Sequence, residues 1–145
     1  MRTLILLLMI VFFSLTSHAE EWVYCFSDAA GNNTFYDEDS IAGVGKNLTK
    51  IRVRTDYSLK GRAEFIRTLM SRGTYNDKYD QLTHSVTTWY IDCDKKESDL
   101  YSVFEYDKQG GIIATYKAKE IVMEPVIYGT IGYILYNMAC RRIQK

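Results

Sequence analysis

The segment from Leu48 to Tyr57 alternates between apolar and charged side chains, and this alternation constrains the fold more than any other feature of the sequence. Its apolar positions are Ile51, Val53 and Tyr57, and its charged positions are Lys50, Arg52, Arg54 and Asp56. Successive side chains of a β-strand point to opposite faces of the sheet. A period of two therefore predicts a strand in a sheet that has one covered face and one wet face.

Similar patterns predict further strands over residues 22–28, 34–36, 84–94, 100–107 and 112–118. Gly and Asn mark turns at residues 30–33, 43–47 and 107–111, and we expect the second strand to end within residues 37–41. Residues 74–82 are predicted to form a loop, and residues 120–126 a connector. Because the turns between consecutive strands are tight, the expected sheet is antiparallel.

Two segments have helical spacing instead. Residues 62–72 predict a short helix, which Gly73 ends, and residues 128–142 predict a C-terminal helix. The apolar stripe of this second helix is Ile131, Ile134, Leu135 and Met138. The predicted fold is α+β: an antiparallel sheet of about six strands, a C-terminal helix packed on one face, and a short helix inserted mid-chain.

The N-terminus has the layout of a secretory signal peptide. A charged start at Arg2 precedes an apolar run from Leu4 to Leu15 and the small-residue triplet Ser17-His18-Ala19. We expect cleavage after Ala19, so that residues 1–19 are the signal and residues 20–145 one exported domain, in the periplasm or on the cell surface. The alternative is an uncleaved anchor, but a run of about twelve residues is shorter than the roughly 20 that span a bilayer.

The charge balance of the chain is neutral. Eighteen Lys and Arg offset eighteen Asp and Glu. A neutral domain has no global attraction for nucleic acid or for anionic lipid, so neither is an expected partner. No segment after the signal is long and apolar enough to cross a membrane.

Three cysteines follow the signal, and in an oxidising compartment two of them are expected to pair. Cys93 shares a strand face with apolar neighbours, and Cys140 ends the helix that should cover that face. Cys25 shares a face with Val23, opposite the aromatic residues of the first strand. We therefore predict a Cys93–Cys140 disulfide with Cys25 as a free thiol; the competing pair is Cys25–Cys140.

No catalytic or metal site is predicted. His84, the one histidine after the signal, is expected in a solvent-facing position, and no nucleophile motif or phosphate loop is present. The carboxylates Asp37, Glu38 and Asp39 lack calcium-loop spacing and are interpreted as a strand end. A hydrolase built on Asp37 and Asp39 is a minor alternative. No cofactor is expected.

Two groups of residues are candidates for binding. Lys50, Arg52 and Arg54 form a basic row that would suit acidic partners or sulfated glycans, or that only keeps a strand face wet. Tyr75 and Tyr79 would form a recognition loop, or would pack over the nearby helix.

The order of several short motifs resembles the surface-adhesin protein E family of bacteria. These motifs are a Trp-led first strand, Phe35-Tyr36-Asp37-x-x-Ser40-Ile41, Ile51-Arg52-Val53-Arg54, Tyr90-Ile91-Asp92-Cys93, Tyr106-Asp107-x-x-Gly110, Pro125 and a helix ending in Cys140. The resemblance covers residues 20–145. It implies a curved sheet of about six strands with the C-terminal helix on its concave face, tied by a disulfide, and it supports the Cys93–Cys140 pairing.

The resemblance also implies a function. The family's named member is an outer-membrane lipoprotein that binds host extracellular-matrix proteins, forms dimers and has been linked to haem. We therefore expect a non-catalytic module that binds a protein or a glycan, with a homodimer as a further expectation. The alternative is a carrier of a small flat ligand such as haem, lined by Tyr90, Tyr106 and Tyr116 beside the terminal helix. This chain departs from the named member because it lacks a lipoprotein cleavage box and has the additional Cys25.

Overall fold

A single antiparallel sheet organises the molecule. The computed structural model describes residues 21–143, and there seven strands form an open, curved sheet. The strands are β1 (Trp22–Ser27), β2 (Asn33–Gly43), β3 (Leu48–Asp56), β4 (Leu82–Asp92), β5 (Glu97–Asp107), β6 (Ile112–Lys117) and β7 (Glu124–Pro125). Strands β1 to β6 lie side by side in chain order, and β7 pairs with β5. The predicted fold class is confirmed, with β7 as a short strand inside the expected connector.

Strand β2 is longer than the sequence indicates. Its pairing with β3 shifts between Asp37, which faces Arg52, and Ala42, which faces Lys50, so that residues 38–41 form a bulge. The Ser40 hydroxyl donates to the Asp37 carbonyl at 2.6 Å and accepts from the Arg52 amide at 2.8 Å. The expected strand end at residues 37–41 is therefore wrong, because side-chain hydrogen bonds hold a polar bulge inside the ladder.

Two α-helices follow the strand pattern at the predicted places. Helix α1 spans Leu59–Ser71, and the Ser58 hydroxyl caps its start by accepting from the Gly61 amide at 2.9 Å. The chain leaves this helix at Gly73, whose φ of 69° suits glycine. Residues Asp77–Gln81, predicted as loop, form a short 3-10 helix, and α2 spans Ile131–Ile143. Within the described residues no helix is long and apolar enough to span a membrane.

The main core lies between α2 and the middle of the sheet. Ile51 of β3 and Ile91 of β4 are fully buried against Leu135 and Ala139 of α2. Burying such aliphatic side chains contributes about 1.5–3 kcal/mol each. Hydrophobic burial therefore sets which sheet face α2 covers.

The rotation of α2 about its axis differs from the prediction. Ile131 and Leu135 do pack on the sheet core, but Ala139 completes the buried row. Ile134 and Met138, which belong to the predicted stripe, instead line a groove beside β2. The small Ala139 side chain is fully buried at the contact with the sheet, whereas the larger Ile134 and Met138 side chains lie towards β2.

The Cys93–Cys140 disulfide fixes the C-terminal end of α2 to the end of β4. This predicted pair is confirmed, and Cys25 is a free thiol. The Cys25 Sγ lies 3.6 Å from the Met138 Sδ, however, so the Cys25 side of β1 faces α2. The prediction that Cys25 and Val23 lie opposite the aromatic residues of β1 holds for Trp22 and Tyr24, but it is wrong for Phe26, because the register shifts between Tyr24 and Phe26 and turns Phe26 to the face of Val23.

Candidate binding face

The two faces of the sheet have different surroundings. The face that carries Val53 is covered by α2 and, towards the other end of β3, by α1. Phe65 of α1 packs on Tyr57, whose hydroxyl lies 3.5 Å from the Ser85 Oγ on that same face. The opposite face, called here the open face, has neither α1 nor α2 packed on it.

The open face is rich in aromatic side chains. By strand register its aromatic residues are Trp22, Tyr24, Phe35, Tyr90, Phe104 and Tyr106. The rings of Tyr24 and Phe35 meet edge to face at 5.8 Å, and Tyr24 is 56% exposed. The wet face of an antiparallel sheet is usually polar. Clustered aromatic residues on such a face indicate contact with a partner.

The predicted basic row lies on this same face. Lys50, Arg52 and Arg54 follow each other at every second position of β3, so neighbouring Cα atoms are about 6.6 Å apart. The Arg52 Nη1 lies 3.4 Å from Asp37 Oδ2, and its guanidinium lies 5.5 Å from the centre of the Trp22 ring. Asp37 itself is only 5% exposed. Arg52 is therefore held in place by a buried carboxylate and by a cation–π contact.

A second carboxylate pairs with the end of the row. The Arg54 Nε donates to Asp56 Oδ1 at 2.6 Å. Nearby His84 stacks on Tyr106 at 4.8 Å, and burial together with the Arg54 charge lowers the His84 pKa. Because Arg52 and Arg54 both have acidic partners, they do not create a strong positive potential on the open face. They instead provide hydrogen-bond donors at fixed positions among the aromatic rings.

The tyrosines of the mid-chain segment lie away from the basic row. Tyr79 is 6% exposed, its ring lies 6.0 Å from Phe65, and its hydroxyl donates to Glu105 Oε2 at 2.7 Å. Burial, reinforced by Glu105, raises the Tyr79 pKa to about 12. The hydroxyl of Tyr75 donates to Asp80 at 2.9 Å. The two tyrosines were predicted either to form a recognition loop or to pack over the nearby helix. For Tyr79 the second interpretation is correct, because it packs beside α1.

The expected haem-lining residues do not lie together beside α2. Tyr90 and Tyr106 lie on the open face, whereas Tyr116 is opposite Val103 on the other face. The predicted haem site is therefore wrong, because the alternation of side chains along the strands places its three tyrosines on two different faces of the sheet. The carboxylate pair expected for a hydrolase is also engaged: Asp37 pairs with Arg52 and accepts from the Asp39 amide at 3.1 Å. Within the described residues no group of three or more His, Cys, Asp or Glu is placed to hold a metal ion.

The aromatic residues of β1 and β2 are the part of the open face that the sequence analysis missed. Alternation placed Trp22 and Tyr24 on one side of β1, but it did not show which side the helix covers. The aromatic side of β1 and β2 lies on the same sheet face as the charged side of β3. The sequence alone does not show this, because it depends on how the strands pair.

The sequence matches the family model of surface-adhesin protein E over residues 22–141. The chain belongs to the surface-adhesin protein E family. No curated protein and no solved structure gives a match. Membership supports an adhesin-like surface or exported protein. Several residues of the motifs that carry the resemblance, including Phe35, Asp37, Arg52 and Tyr90, lie on the open face.

Proposed function

We propose that this adhesin E protein is an exported, non-catalytic binding module that presents its open face to a macromolecular partner. The observation that carries the proposal is the cluster of aromatic rings around Arg52 and Arg54 on a face that neither α1 nor α2 covers. Trp, Tyr and Arg are the residue types enriched at the energetic centres of protein interfaces. A protein partner therefore suits this face better than a glycan does.

The fixed geometry of the arginines supports the same proposal. Asp37 and Trp22 hold Arg52, and Asp56 holds Arg54, before any partner arrives. Ordering a long side chain on binding costs about 0.5–1.5 kcal/mol, and a side chain that is already ordered avoids much of this cost. The open face is thus pre-organised at its centre.

The test measures binding of the purified protein to immobilised extracellular-matrix proteins, the class that the family's named member binds. Tyr24→Ser removes an exposed ring from the open face, and Tyr116→Ser is its matched control, because the two tyrosines are 56% and 57% exposed on opposite faces. Loss of an aromatic side chain that contributes strongly to an interface typically costs at least about 1.4 kcal/mol, which is tenfold in affinity. We expect that loss for Tyr24→Ser and an unchanged affinity for Tyr116→Ser.

Charge provides a second matched pair. Arg54→Gln removes a guanidinium from the open face, and Arg67→Gln removes one from the exposed surface of α1. If Arg54→Gln and Arg67→Gln weakened binding equally, or if only Tyr116→Ser abolished it, the partner would bind to another surface. Turnover of a small molecule without any macromolecular binding would remove the non-catalytic proposal.

Three expectations remain predictions that separate experiments address. Cell fractionation distinguishes periplasm from cell surface, and N-terminal sequencing locates signal cleavage, which falls outside the described residues. Sedimentation analysis determines whether the protein forms a homodimer. A haem titration without a shift of the Soret band would remove the haem version of the small-ligand alternative.

A further inference from the structure

A groove with apolar walls lies on the covered face of the sheet, between α2 and the bulge of β2. Its volume is about 540 Å³. This lies within the roughly 300–1,000 Å³ typical of small-molecule sites. The groove is separate from the open face, and the bulge at residues 38–41 forms one of its sides.

One wall of the groove consists of those residues of the apolar stripe of α2 that do not pack in the main core. Ile134 and Met138 of α2 face Tyr36 and Ile41 of β2 across the groove. Burying these apolar side chains further would be favourable, because it removes apolar surface from water. The walls therefore favour an apolar occupant.

The charges at the groove favour an anionic end on that occupant. Arg141 lines the groove and makes no salt bridge within residues 21–143. The other charged lining residue, Glu38, already has an interaction of its own. A guanidinium is a strong partner for a carboxylate, because it can donate two parallel hydrogen bonds.

We propose that this groove binds a long-chain carboxylate, with its hydrocarbon chain between the α2 wall (Ile134 and Met138) and the β2 wall (Tyr36 and Ile41) and its carboxylate on Arg141. The occupant is a free single-chain fatty acid, not a membrane lipid. The site is independent of the open face, so either proposal stands if the other fails.

Calorimetric titration with dodecanoate below its micelle concentration tests the ligand class. Dodecyltrimethylammonium has the same chain with a cationic head and serves as the matched ligand. We expect saturable one-to-one binding of dodecanoate, and binding at least tenfold weaker for the cation. Equal binding of both ligands, no saturable binding, or binding only to vesicles of anionic phospholipid would overturn the proposal.

Two substitutions locate the site. Arg141→Gln removes the charge, and Ile134→Asn places a polar group in the wall; each should weaken dodecanoate binding about tenfold or more. Arg67→Gln removes a comparable guanidinium from α1 and should leave the affinity unchanged. An Arg67→Gln effect as large as that of Arg141→Gln would show only non-specific charge attraction.

Cys25 gives a measurement that needs no variant. Its Sγ lies 3.6 Å from the Sδ of Met138, so an occupied groove should shield it from alkylation. The other two cysteines are bonded to each other, so the labelling has a single target. Saturating dodecanoate should slow labelling of the native protein severalfold, whereas dodecyltrimethylammonium should not. An unchanged labelling rate with bound dodecanoate would place the ligand elsewhere.

Discussion

Removing the Cys93–Cys140 disulfide should lower the free energy of unfolding by about 4 kcal/mol. The bridge joins residues 47 apart in sequence. With the loop-entropy relation, closing a loop of this length reduces the entropy of the unfolded chain by an amount worth about 4 kcal/mol at 25 °C. Replacing both cysteines with alanine removes this constraint without introducing a buried polar group.

The folded state should survive the substitution. Domains have about 0.05–0.15 kcal/mol of stability per residue, which gives roughly 6–18 kcal/mol for a domain of this size. Leu135 and Ala139 of α2 are fully buried against the sheet, and we expect these contacts to hold the helix in place without the bridge. With a urea m-value of about 2 kcal/mol/M, the unfolding midpoint should fall by about 2 M.

Urea titration followed by circular dichroism measures this change in the native protein, the Cys93→Ala/Cys140→Ala variant and the native protein reduced with dithiothreitol. Cys25→Ala is the control, because it removes a thiol that closes no loop, and it should cost less than about 1.5 kcal/mol. A loss below about 1 kcal/mol in the double variant would refute the loop-entropy reasoning. An equal loss in Cys25→Ala would show that packing, not the bridge, accounts for the effect.

Three further predictions follow from single contacts. Gly61→Ala should destabilise the protein by about 2 kcal/mol or more in urea titration, because an added Cβ would overlap the buried amide of Asn32; a neutral result would show that this amide moves freely. Burial raises the Glu105 pKa, so the charged form of Glu105 is less favourable in the folded state than in the unfolded chain. The free energy of unfolding therefore falls as the pH rises above the ordinary carboxyl range. Glu105→Gln, which can still accept from Tyr79, should therefore gain stability relative to the native protein between pH 4 and pH 7, and a constant difference across this range would contradict the assignment. Burial raises the Cys25 pKa to about 11, so alkylation should be slow at pH 7 and accelerate towards pH 10, and a rate already at its plateau at pH 8 would contradict it.

Local patterns predicted the elements of this fold well. The alternation of β3 predicted correctly which of its residues lie on each face of the sheet. A strand that is buried on one side must place Ile51 and Val53 on that same side. The disulfide was predictable for a related reason, since Cys93 follows an apolar strand and Cys140 ends an apolar helix. These signals lie within single elements, where periodicity determines the outcome.

Features that depend on contacts between elements were not predictable. The end of β2 was misplaced because the Ser40 hydroxyl substitutes for a ladder partner across the bulge, and composition indicates only a polar run. The rotation of α2 depends on how closely Ala139 approaches the sheet. The aromatic part of the open face was missed because the sequence of β1 cannot tell which of its sides a helix more than 100 residues later will cover.

The arrangement of the strands in chain order has a consequence for how the molecule assembles. Each of β2 to β6 pairs with the strand made just before it, so the sheet can grow from β1 onwards as the chain is made. Helix α2 is the last element, and it closes over strands already present. Because Cys140 lies in that helix and Cys93 directly follows β4, the native disulfide joins the last element of the chain to a strand made earlier. The identity of the one remaining thiol then distinguishes the molecules: a free Cys25 marks those in which α2 is bonded to the sheet as in the native fold, whereas a free Cys93 marks those with the competing pair.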